Sequence, residues 1–329
     1  MMKPKIIVAR PIFPEVISHL QPYFEVTSNQ DDVPWTEQSW TDQLSQQDGA
    51  FTFTTDVVNE NILKHCTKLK ICANMAVGYN NFDVPAMTRY KVVATNTPDV
   101  LTQTTADMGF ALLMAAARRV AESEHYLRAG QWHQWRFDMF AGVEVHGSTL
   151  GILGMGRIGQ AIAQRGAFGF GMDVIYHNRS QLSSEQETAC KARYVSKQEL
   201  LEQSDHLVLV LPYSKESHHV IGQKELHQMK PTAVLVNIAR GGIVDDVALA
   251  QALKEKRIAA AGLDVYEGEP QVSPVLLTIP NVVLTPHIAS STVKTRMAMA
   301  VLAADNLISF FTMGKAINPL NPQVLSHQA

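Results

Sequence analysis

The fold of this chain is indicated most clearly by one stretch, Thr149-Leu150-Gly151-Ile152-Leu153-Gly154-Met155-Gly156-Arg157-Ile158-Gly159. It is an apolar strand that leads directly into a G-x-G-x-x-G turn, and the residues after it keep helical spacing as far as Phe170. Gly154 permits the tight turn, Gly156 lets backbone N–H groups approach a pyrophosphate, and Gly159 lets the helix pack closely on its strand. The pattern predicts the phosphate end of a dinucleotide-binding site at a helix N-terminus.

The end of the next predicted strand, 173–176, indicates which dinucleotide the site takes. An NAD site places an acidic residue there, which accepts hydrogen bonds from the ribose hydroxyls. This chain instead has Asn178, Arg179 and Ser180, so that position holds no carboxylate. Arg179 can pair with a 2′-phosphate, and its two neighbours can donate hydrogen bonds to that group. We therefore predict NADP(H) as the preferred cofactor and NAD(H) as the alternative, unless Arg179 is only a solvated loop residue.

Strand and helix patterns alternate along nearly the whole chain, which is typical of α/β units around parallel sheets. Strands are predicted near 6–9, 50–54, 70–74 and 92–95 before the fingerprint, and near 174–177, 206–211, 233–238, 259–264 and 282–285 after it.

The position of the fingerprint predicts the domain organisation. Because a complete α/β unit precedes it, the nucleotide domain cannot begin at the N-terminus. An apolar helix predicted over 291–312 follows the last strand and can return to the first domain. We predict an α/β fold with a Rossmann-like dinucleotide-binding domain, residues 99–289, inserted into a discontinuous substrate domain made of 1–98 and 290–329. Substrate would bind in a cleft between them.

Composition excludes several classes of partner. The formal net charge is −3 at pH 7 and the basic residues are scattered, which argues against nucleic acid. The longest apolar run, 108–117, is shorter than a membrane span, so we predict no membrane partner. The chain enters its first strand without a signal peptide pattern, and we predict a cytoplasmic location.

Neither a disulfide framework nor a metal site is predicted. The three cysteines are scattered and lack C-x-x-C spacing, so we interpret them as reduced, buried thiols: Cys66, Cys72 and Cys190. His218 and His219 are adjacent, and on a strand their side chains would point to opposite faces.

Three polar residues after the fingerprint can supply the chemistry of a cleft. Arg240 comes directly after a buried strand, where α/β sheets bind ligands and a guanidinium can grip a carboxylate. His287 also follows a strand, and its near-neutral intrinsic pKa suits proton transfer to an alkoxide. If Glu269 met His287, its carboxylate would raise the pKa of the imidazole and fix its orientation. The spacing leaves open whether the two meet.

With these residues in place, the chain resembles the D-isomer-specific 2-hydroxyacid dehydrogenases over roughly residues 71–319. The resemblance rests on ordered motifs, namely VGYNNFD (77–83), the fingerprint, NIARGGIVD (237–245), GLDVYEGEP (262–270) and PHIAS (286–290). It implies a flavodoxin-like and a Rossmann-like lobe, with the nucleotide domain inserted. It also implies that Arg240 binds substrate, that His287 is the acid/base and that Glu269 is the partner of His287.

The resemblance assigns further contacts. Backbone N–H groups of the loop at Val77 and Gly78 would hold the substrate carboxylate, and Asp264 would contact the nicotinamide end of the cofactor. The full set of expected cofactor contacts is Gly154, Gly156, Arg157, Ile158, Gly159, Asn178, Arg179, Ser180, Pro212, Ile238, Ala239, Asp264, His287 and Ala289.

Within the family, the segment TPDVLTQTTAD (97–107) is most similar to the glyoxylate/hydroxypyruvate reductases, including a group that also reduces 2-ketogluconate. In that segment Leu101 would face the substrate side chain. The implied function is NADPH-dependent reduction of a small 2-oxo acid to a D-2-hydroxy acid. Two alternatives stay open: an NAD-dependent enzyme such as a phosphoglycerate dehydrogenase, which Arg179 disfavours, and a corepressor-like protein that binds the dinucleotide without turnover.

The resemblance also implies a homodimer. In similar enzymes the region that matches 118–146 is an arm around a second subunit. We interpret Trp132 and Trp135 in this region as packing or subunit contacts. Some of the similar reductases reach into the neighbouring active site with a tryptophan of this arm. The matching position, near Met139, holds no tryptophan here, so we do not expect an indole from a second subunit to select the substrate.

Overall fold

The computed structural model describes residues 2–327, and the chain divides into two compact units. We call Met1–Leu101 together with Thr292–Ala329 the split unit, and Thr102–Ser291 the central unit. Each contains one parallel β-sheet, so the predicted α/β class with two sheets is confirmed. The predicted domain boundaries, at 98 and 290, lie close to the two positions where the chain passes between units.

The sheet of the split unit has five strands in the order β2-β1-β3-β4-β5, which is the flavodoxin-like order. The strands are β1 Lys5–Val8, β2 Glu25–Ser28, β3 Gly49–Thr52, β4 Ile71–Asn74 and β5 Val93–Thr95. The connecting helices are α1 Pro14–Leu20, α2 Glu37–Leu44, α3 Glu60–Leu63 and α4 Val84–Arg89. Strands β3 and β4 are buried along their whole length, as apolar parallel strands covered on both faces must be.

The sheet of the central unit has seven parallel strands in the order β12-β11-β10-β9-β6-β7-β8. This is the doubly wound dinucleotide-binding order with one further strand at the β12 edge. The strands are β6 Thr149–Leu153, β7 Asp173–His177, β8 Ala192–Tyr194, β9 His206–Leu209, β10 Val234–Asn237, β11 Ala260–Leu263 and β12 Val282–Leu284. The helices are α5 Thr102–Ala117, α6 Val120–Arg128, α7 Arg157–Gln164, α8 Ser184–Cys190, α9 Lys197–Gln203, α10 Gln223–Gln228 and α11 Asp246–Lys254.

Helices cover both faces of this second sheet. Leu207 and Leu209 belong to one apolar cluster, and Val208 between them belongs to another. This alternation follows from the two-residue period of a strand. The carboxyl ends of the strands are therefore the open edge at which loops can present polar side chains.

The helix after the fingerprint differs from the prediction of one helix as far as Phe170. Helix α7 ends at Gln164, and the chain continues as a π-helical segment, Arg165–Gly169. Gly166 lies in this segment, and a Cβ there would come within 2.5 Å of Leu150. The π-turn therefore lets the backbone approach β6 more closely than a side chain would allow.

The last long helix, α12 Val293–Met313, belongs to the split unit. By length and composition alone it could cross a membrane. In the structure it packs against β3, β4 and α1 and buries an apolar face that includes Met299, Leu307 and Phe310. Its apolar character is therefore accounted for by the core of this unit.

Candidate active site

The G-x-G-x-x-G turn has the geometry that a pyrophosphate needs. Gly154 has φ +103°, and a Cβ there would lie 2.6 Å from the backbone nitrogen of Leu211. Gly156 is exposed, and a Cβ built on it meets nothing within 4 Å. It is the N-cap residue of α7, and this cap has no side-chain hydrogen bond. The first turn of α7 thus presents N–H groups to an open surface, which fits the phosphates of a dinucleotide.

The loop after β7 is tied to this turn. Oδ1 of Asn178 accepts a hydrogen bond from the backbone N–H of Met155 at 2.7 Å. Arg179 and Ser180 are exposed, and within residues 2–327 no carboxylate lies within 4.0 Å of the Arg179 guanidinium. A hydrogen bond from Ser214, followed by the charges of Lys215 and Arg179, lowers the pKa of Glu216. The end of β7 is therefore a cationic, solvent-accessible position.

The loop after β10 carries Arg240. The side-chain Oδ1 of Asn237 accepts a hydrogen bond from the backbone N–H of Ala239 at 3.0 Å, and its Nδ2 donates to the Arg240 carbonyl at 3.1 Å. These two hydrogen bonds fix the turn. Burial lowers the pKa of Arg240, and the charge of Glu269 partly offsets this effect. The guanidinium stays charged because arginine does not deprotonate in proteins. A half-buried, charged guanidinium is suited to binding a carboxylate.

Gly241 brings this loop against the one that follows β11. A Cβ at Gly241 would lie 1.7 Å from the carbonyl oxygen of Tyr266 and 2.7 Å from the nitrogen of Glu267. Since no side chain can occupy that space, only glycine allows the two loops to touch. The contact places Arg240 near Glu269, as their electrostatic interaction indicates.

Asp264, directly after β11, holds the loop that carries His287. Its Oδ1 accepts from Thr285 Oγ1 at 2.6 Å and from Ile288 N at 2.8 Å, and its Oδ2 accepts from Ala289 N at 2.8 Å. The side chain has no exposed surface. Asp264 therefore holds the loop that carries His287, and its expected contact with the nicotinamide end of the cofactor stays a prediction.

Glu269 and His287 meet. Nδ1 of His287 lies 2.7 Å from Oε2 of Glu269, while Oε1 accepts from Tyr266 N at 2.8 Å. Burial opposes ionisation of Glu269, but the hydrogen bond and charge of His287, with the Tyr266 N–H and Arg240, hold its pKa below the usual value. An ionised carboxylate only accepts, so Nδ1 carries the hydrogen of this bond.

The other ring nitrogen of His287 is open. Within the part of the chain that the structure describes, Nε2 of His287 has no protein partner, and the side chain is 36% exposed. The backbone is in the left-handed region at φ +52°. Its N–H donates to the Asp264 carbonyl at 2.9 Å, which holds this conformation. An imidazole fixed through Nδ1 and open at Nε2 can act as a general acid or base.

The remaining predicted cofactor residues lie at the same carboxyl edge of the central sheet. Pro212 is exposed after β9, Ile238 and Ala239 follow β10, and Ala289 follows His287. The last three are almost fully buried, so the surface they offer is small.

The predicted substrate residues Val77, Gly78 and Leu101 belong to the split unit. Asn96 Nδ2 donates to the Val77 carbonyl at 2.8 Å, and Asn74 Nδ2 donates to the Gly78 carbonyl at 3.0 Å. Among residues 2–327 the N–H groups of Val77 and Gly78 have no protein acceptor. Two amide side chains thus fix a turn whose N–H groups are available, whereas Leu101 is buried.

Sequence reasoning missed the residues that position others. Asn237 shapes the Arg240 turn, and Tyr266 uses its N–H to hold Glu269. The Tyr266 hydroxyl lies 3.0 Å from the Leu263 carbonyl and 2.9 Å from the Thr285 carbonyl, so it links the ends of β11 and β12. All lie inside or beside the motifs, but spacing alone does not reveal which side chains point back at the backbone.

The expectation for His218 and His219 is wrong. Both residues lie in a turn and not on a strand, and their rings stack with centroids 3.9 Å apart and an interplanar angle of 22°. His219 has φ +49°, and its N–H donates to the Gly242 carbonyl at 2.7 Å. A turn can bring neighbouring side chains to one side, whereas the alternation on which the prediction relied holds only in extended chain.

Trp132 and Trp135 are largely exposed in the described part of the chain. They are 55% and 75% exposed, and Phe137 beside them is 89% exposed. Packing inside the chain covers only part of these tryptophans, and contact with another subunit stays a prediction.

Comparison with known proteins identifies the family. Residues 110–289 match the family model described as D-isomer specific 2-hydroxyacid dehydrogenase, NAD binding domain. The chain belongs to this family. The match covers more than half of the chain and contains the fingerprint, Arg240, Glu269 and His287. The protein is thus an NAD(P)-binding oxidoreductase of the 2-hydroxyacid dehydrogenase class, as the sequence motifs predict.

Related 2-hydroxyacid dehydrogenases match over almost their full length. The chain is 44% identical to the glyoxylate reductase of Thermococcus gammatolerans over 94% of this chain and 93% of that protein. It is also 44% identical to the glyoxylate reductase of Aeropyrum pernix, over 99% and 98%. A similar solved structure is the NADPH-dependent glyoxylate/hydroxypyruvate reductase of Sinorhizobium meliloti in complex with NADP and malonate, with 34% identity, 97% coverage of both chains and a TM-score of 0.85.

Proposed function

We propose that this dehydrogenase reduces small 2-oxo acids, with glyoxylate and hydroxypyruvate as first candidates and 2-ketogluconate as a third, to D-2-hydroxy acids with NADPH. The observation that carries the proposal is His287, whose Nδ1 is held by Glu269 and whose Nε2 is open. The names of the relatives support glyoxylate as substrate. A carbonyl that becomes an alkoxide needs a proton donor at this position.

The cofactor would bind at the central unit. The turn at Gly156 and the first turn of α7 would hold the pyrophosphate, because Gly156 is exposed and no side chain caps the start of this helix. When bound, the nicotinamide supplies the hydride. The chain's own groups then have to hold the substrate carbonyl, orient it and manage one proton.

His287 would manage that proton. With Nδ1 donating to Glu269, the imidazolium donates from Nε2 to the carbonyl oxygen of the substrate as negative charge develops there. Glu269 stabilises the imidazolium before the transfer and keeps the ring in place. In the reverse reaction the neutral ring accepts the proton of the hydroxyl.

Arg240 would bind the substrate carboxylate. Its half-buried guanidinium lies near Glu269, and a substrate carboxylate would add a second negative partner. We further propose that the N–H groups of Val77 and Gly78 bind substrate, since amide side chains already hold the carbonyls of that turn. Positioning of this kind supplies much of the rate.

NADPH in preference to NADH is supported by the end of β7. The exposed Arg179 and Ser180 and the absence of an acid at that position favour a 2′-phosphate over free ribose hydroxyls. The cytoplasmic location and the homodimer stay predictions. The exposed Trp135 and Phe137 support the latter, because large apolar side chains at the surface mark protein contacts.

A substrate and cofactor panel tests the proposal. Purified enzyme is assayed with glyoxylate, hydroxypyruvate, pyruvate, phenylpyruvate and 2-ketogluconate, each with NADPH and with NADH. We expect the highest kcat/KM with glyoxylate or hydroxypyruvate and NADPH. A tenfold preference for NADH would contradict the cofactor assignment, and no turnover with any pair would indicate a dinucleotide-binding sensor.

A further inference from the structure

A cluster of two histidines and a glutamate lies beside the proposed active site and takes no part in its chemistry. His218 and His219 come from the loop after β9, and Glu267 comes from the loop after β11. Each residue offers one ligand atom, and the three atoms all lie within 4.8 Å of one another. All three residues are in the central unit and reach solvent.

The strongest contact in the cluster joins the two loops. Nε2 of His219 lies 2.8 Å from Oε2 of Glu267. Taken alone this is a partly exposed ion pair, which contributes little to stability. What distinguishes the cluster is His218, whose ring lies parallel to that of His219 and brings a second imidazole to the same carboxylate.

Nδ1 of His218 has a hydrogen-bond partner, and a carboxylate lies near Nδ1 of His219 beyond hydrogen-bond distance. Nδ1 of His218 lies 3.1 Å from the Tyr213 hydroxyl. Nδ1 of His219 lies 4.0 Å from a carboxylate oxygen of Asp245. Histidines that bind metals usually have their second nitrogen held in this way by a carboxylate or another polar group. The arrangement leaves Nε2 of each ring as the ligand atom.

We propose that His218, His219 and Glu267 form a binding site for one Zn²⁺ ion. Two imidazole nitrogens and one carboxylate oxygen are a ligand set that suits zinc, and solvent access leaves room for water as fourth ligand. Zinc lies about 2.0–2.2 Å from such ligands. His219 and Glu267 already stand close enough to share an ion, whereas the exposed His218 has to turn out of its stack on His219 before its lone pair can point at the same ion. The site departs from the prediction of no metal.

A bound ion would connect two loops that support the proposed chemistry. The N–H of His219 is bonded to Gly242, next to the turn that carries Arg240, and Glu267 stands two residues before Glu269. The metal would replace the hydrogen between His219 and Glu267 with two coordinate bonds. It would therefore hold the two loops in their present contact more firmly than the ion pair does.

Zinc titration of tag-free protein tests this site. Metal-free enzyme is titrated with Zn²⁺ by calorimetry and melted with and without the ion, alongside His218→Ala, Glu267→Gln and His227→Ala. His218→Ala is the decisive variant, because it leaves the ion pair between His219 and Glu267 intact. His227 is the matched control, an exposed histidine on α10 whose Nδ1 lies 2.7 Å from the Gln223 carbonyl.

We expect one zinc per chain and a rise in Tm in the wild type and in His227→Ala. In His218→Ala and Glu267→Gln the affinity for Zn²⁺ should fall by about tenfold or more. Wild-type affinity in His218→Ala, or no binding by the wild type, would overturn the proposal. Because binding and melting are the readouts, the result does not depend on the substrate or on turnover.

Discussion

At the level of single residues, the proposed preference for NADPH depends on Arg179. We expect Arg179→Ala to weaken NADPH binding by about 10- to 100-fold, the value of one or two charge-assisted hydrogen bonds, and to leave NADH binding nearly unchanged. Nucleotide fluorescence titration measures both affinities. Arg193→Ala, which removes an exposed arginine from β8, is the control. Equal losses of affinity for NADPH and NADH in Arg179→Ala would show that this residue does not bind the 2′-phosphate.

His206, the first residue of β9, predicts a pH dependence of stability. Burial lowers its pKa below the ordinary 6.5, only partly offset by the Glu144 carbonyl, which lies 2.9 Å from Nε2. The folded state therefore keeps His206 neutral, while the unfolded chain takes up a proton as the pH falls through about 6.5. His206 thus contributes stability above that pH, and this contribution is lost on acidification.

The variant His206→Gln tests this dependence, because its amide can still donate to the Glu144 carbonyl. Between pH 7.5 and 5 the free energy of unfolding should fall less steeply in His206→Gln than in the wild type. Thermal or urea unfolding at several pH values measures the difference. Equal slopes would mean that His206 does not titrate differently in the folded and unfolded states.

Residues of the candidate site could be predicted from the sequence where they belong to a motif. The hydrogen bonds between distant segments of the chain could not. The sequence predicts Arg240, Glu269 and His287, and the structure brings the last two to 2.7 Å. It does not predict that Asp264 would be enclosed by N–H and hydroxyl donors, because those donors come from a strand end 21 to 25 residues further along the chain.

At the level of elements, the contact between the loops after β10 and β11 supports the site. Gly241→Ala would place a Cβ against the Tyr266 carbonyl and must push these loops apart. We expect a loss of about 1–3 kcal/mol in the free energy of unfolding, as in other overpacked sites, and a lower kcat/KM. Melting and steady-state assays measure both effects. Gly169→Ala is the control, because a Cβ there meets nothing within 4 Å. Wild-type stability and activity in Gly241→Ala would show that the contact between these two loops does not support the site.

Elements were predictable where the apolar pattern is strong. The buried strands of both sheets follow from apolar runs, which is the strongest signal for a parallel sheet. β2 and β8 are absent from the prediction because EVTS and ARY hold few apolar residues and lie at sheet edges with partly exposed side chains. The π-turn after α7 depends on a close contact with β6 that helical spacing does not encode.

At the level of the whole molecule, the position of the fingerprint is the sequence feature that predicts an inserted domain. One set of α/β units precedes the fingerprint and another follows it. The last apolar helix, α12, packs in the split unit together with the units that precede the fingerprint. The resemblance implies a subunit contact over 118–146, but the sequence alone does not indicate which side chains of this region are exposed. In the structure of the single chain, the aromatic side chains of Trp132, Trp135 and Phe137 are exposed.

This surface predicts assembly. We expect the wild type to be a dimer by light scattering, and Trp135→Glu combined with Phe137→Glu to shift it toward monomer, because two charges in an apolar interface lack partners. Leu277→Glu, at another exposed apolar residue, is the control and should stay dimeric. A monomeric wild type, or a dimer in both variants, would show that this segment is not the interface.

In the proposed mechanism, His287 transfers the proton through an open Nε2 while Glu269 holds its Nδ1. Single-turnover and steady-state reduction of glyoxylate by His287→Ala, with the NADPH affinity measured on the same preparation, tests this step. We predict a fall in turnover of about 10²- to 10⁴-fold, the usual contribution of a general acid, with NADPH affinity nearly unchanged. Turnover at the wild-type rate in His287→Ala would contradict it.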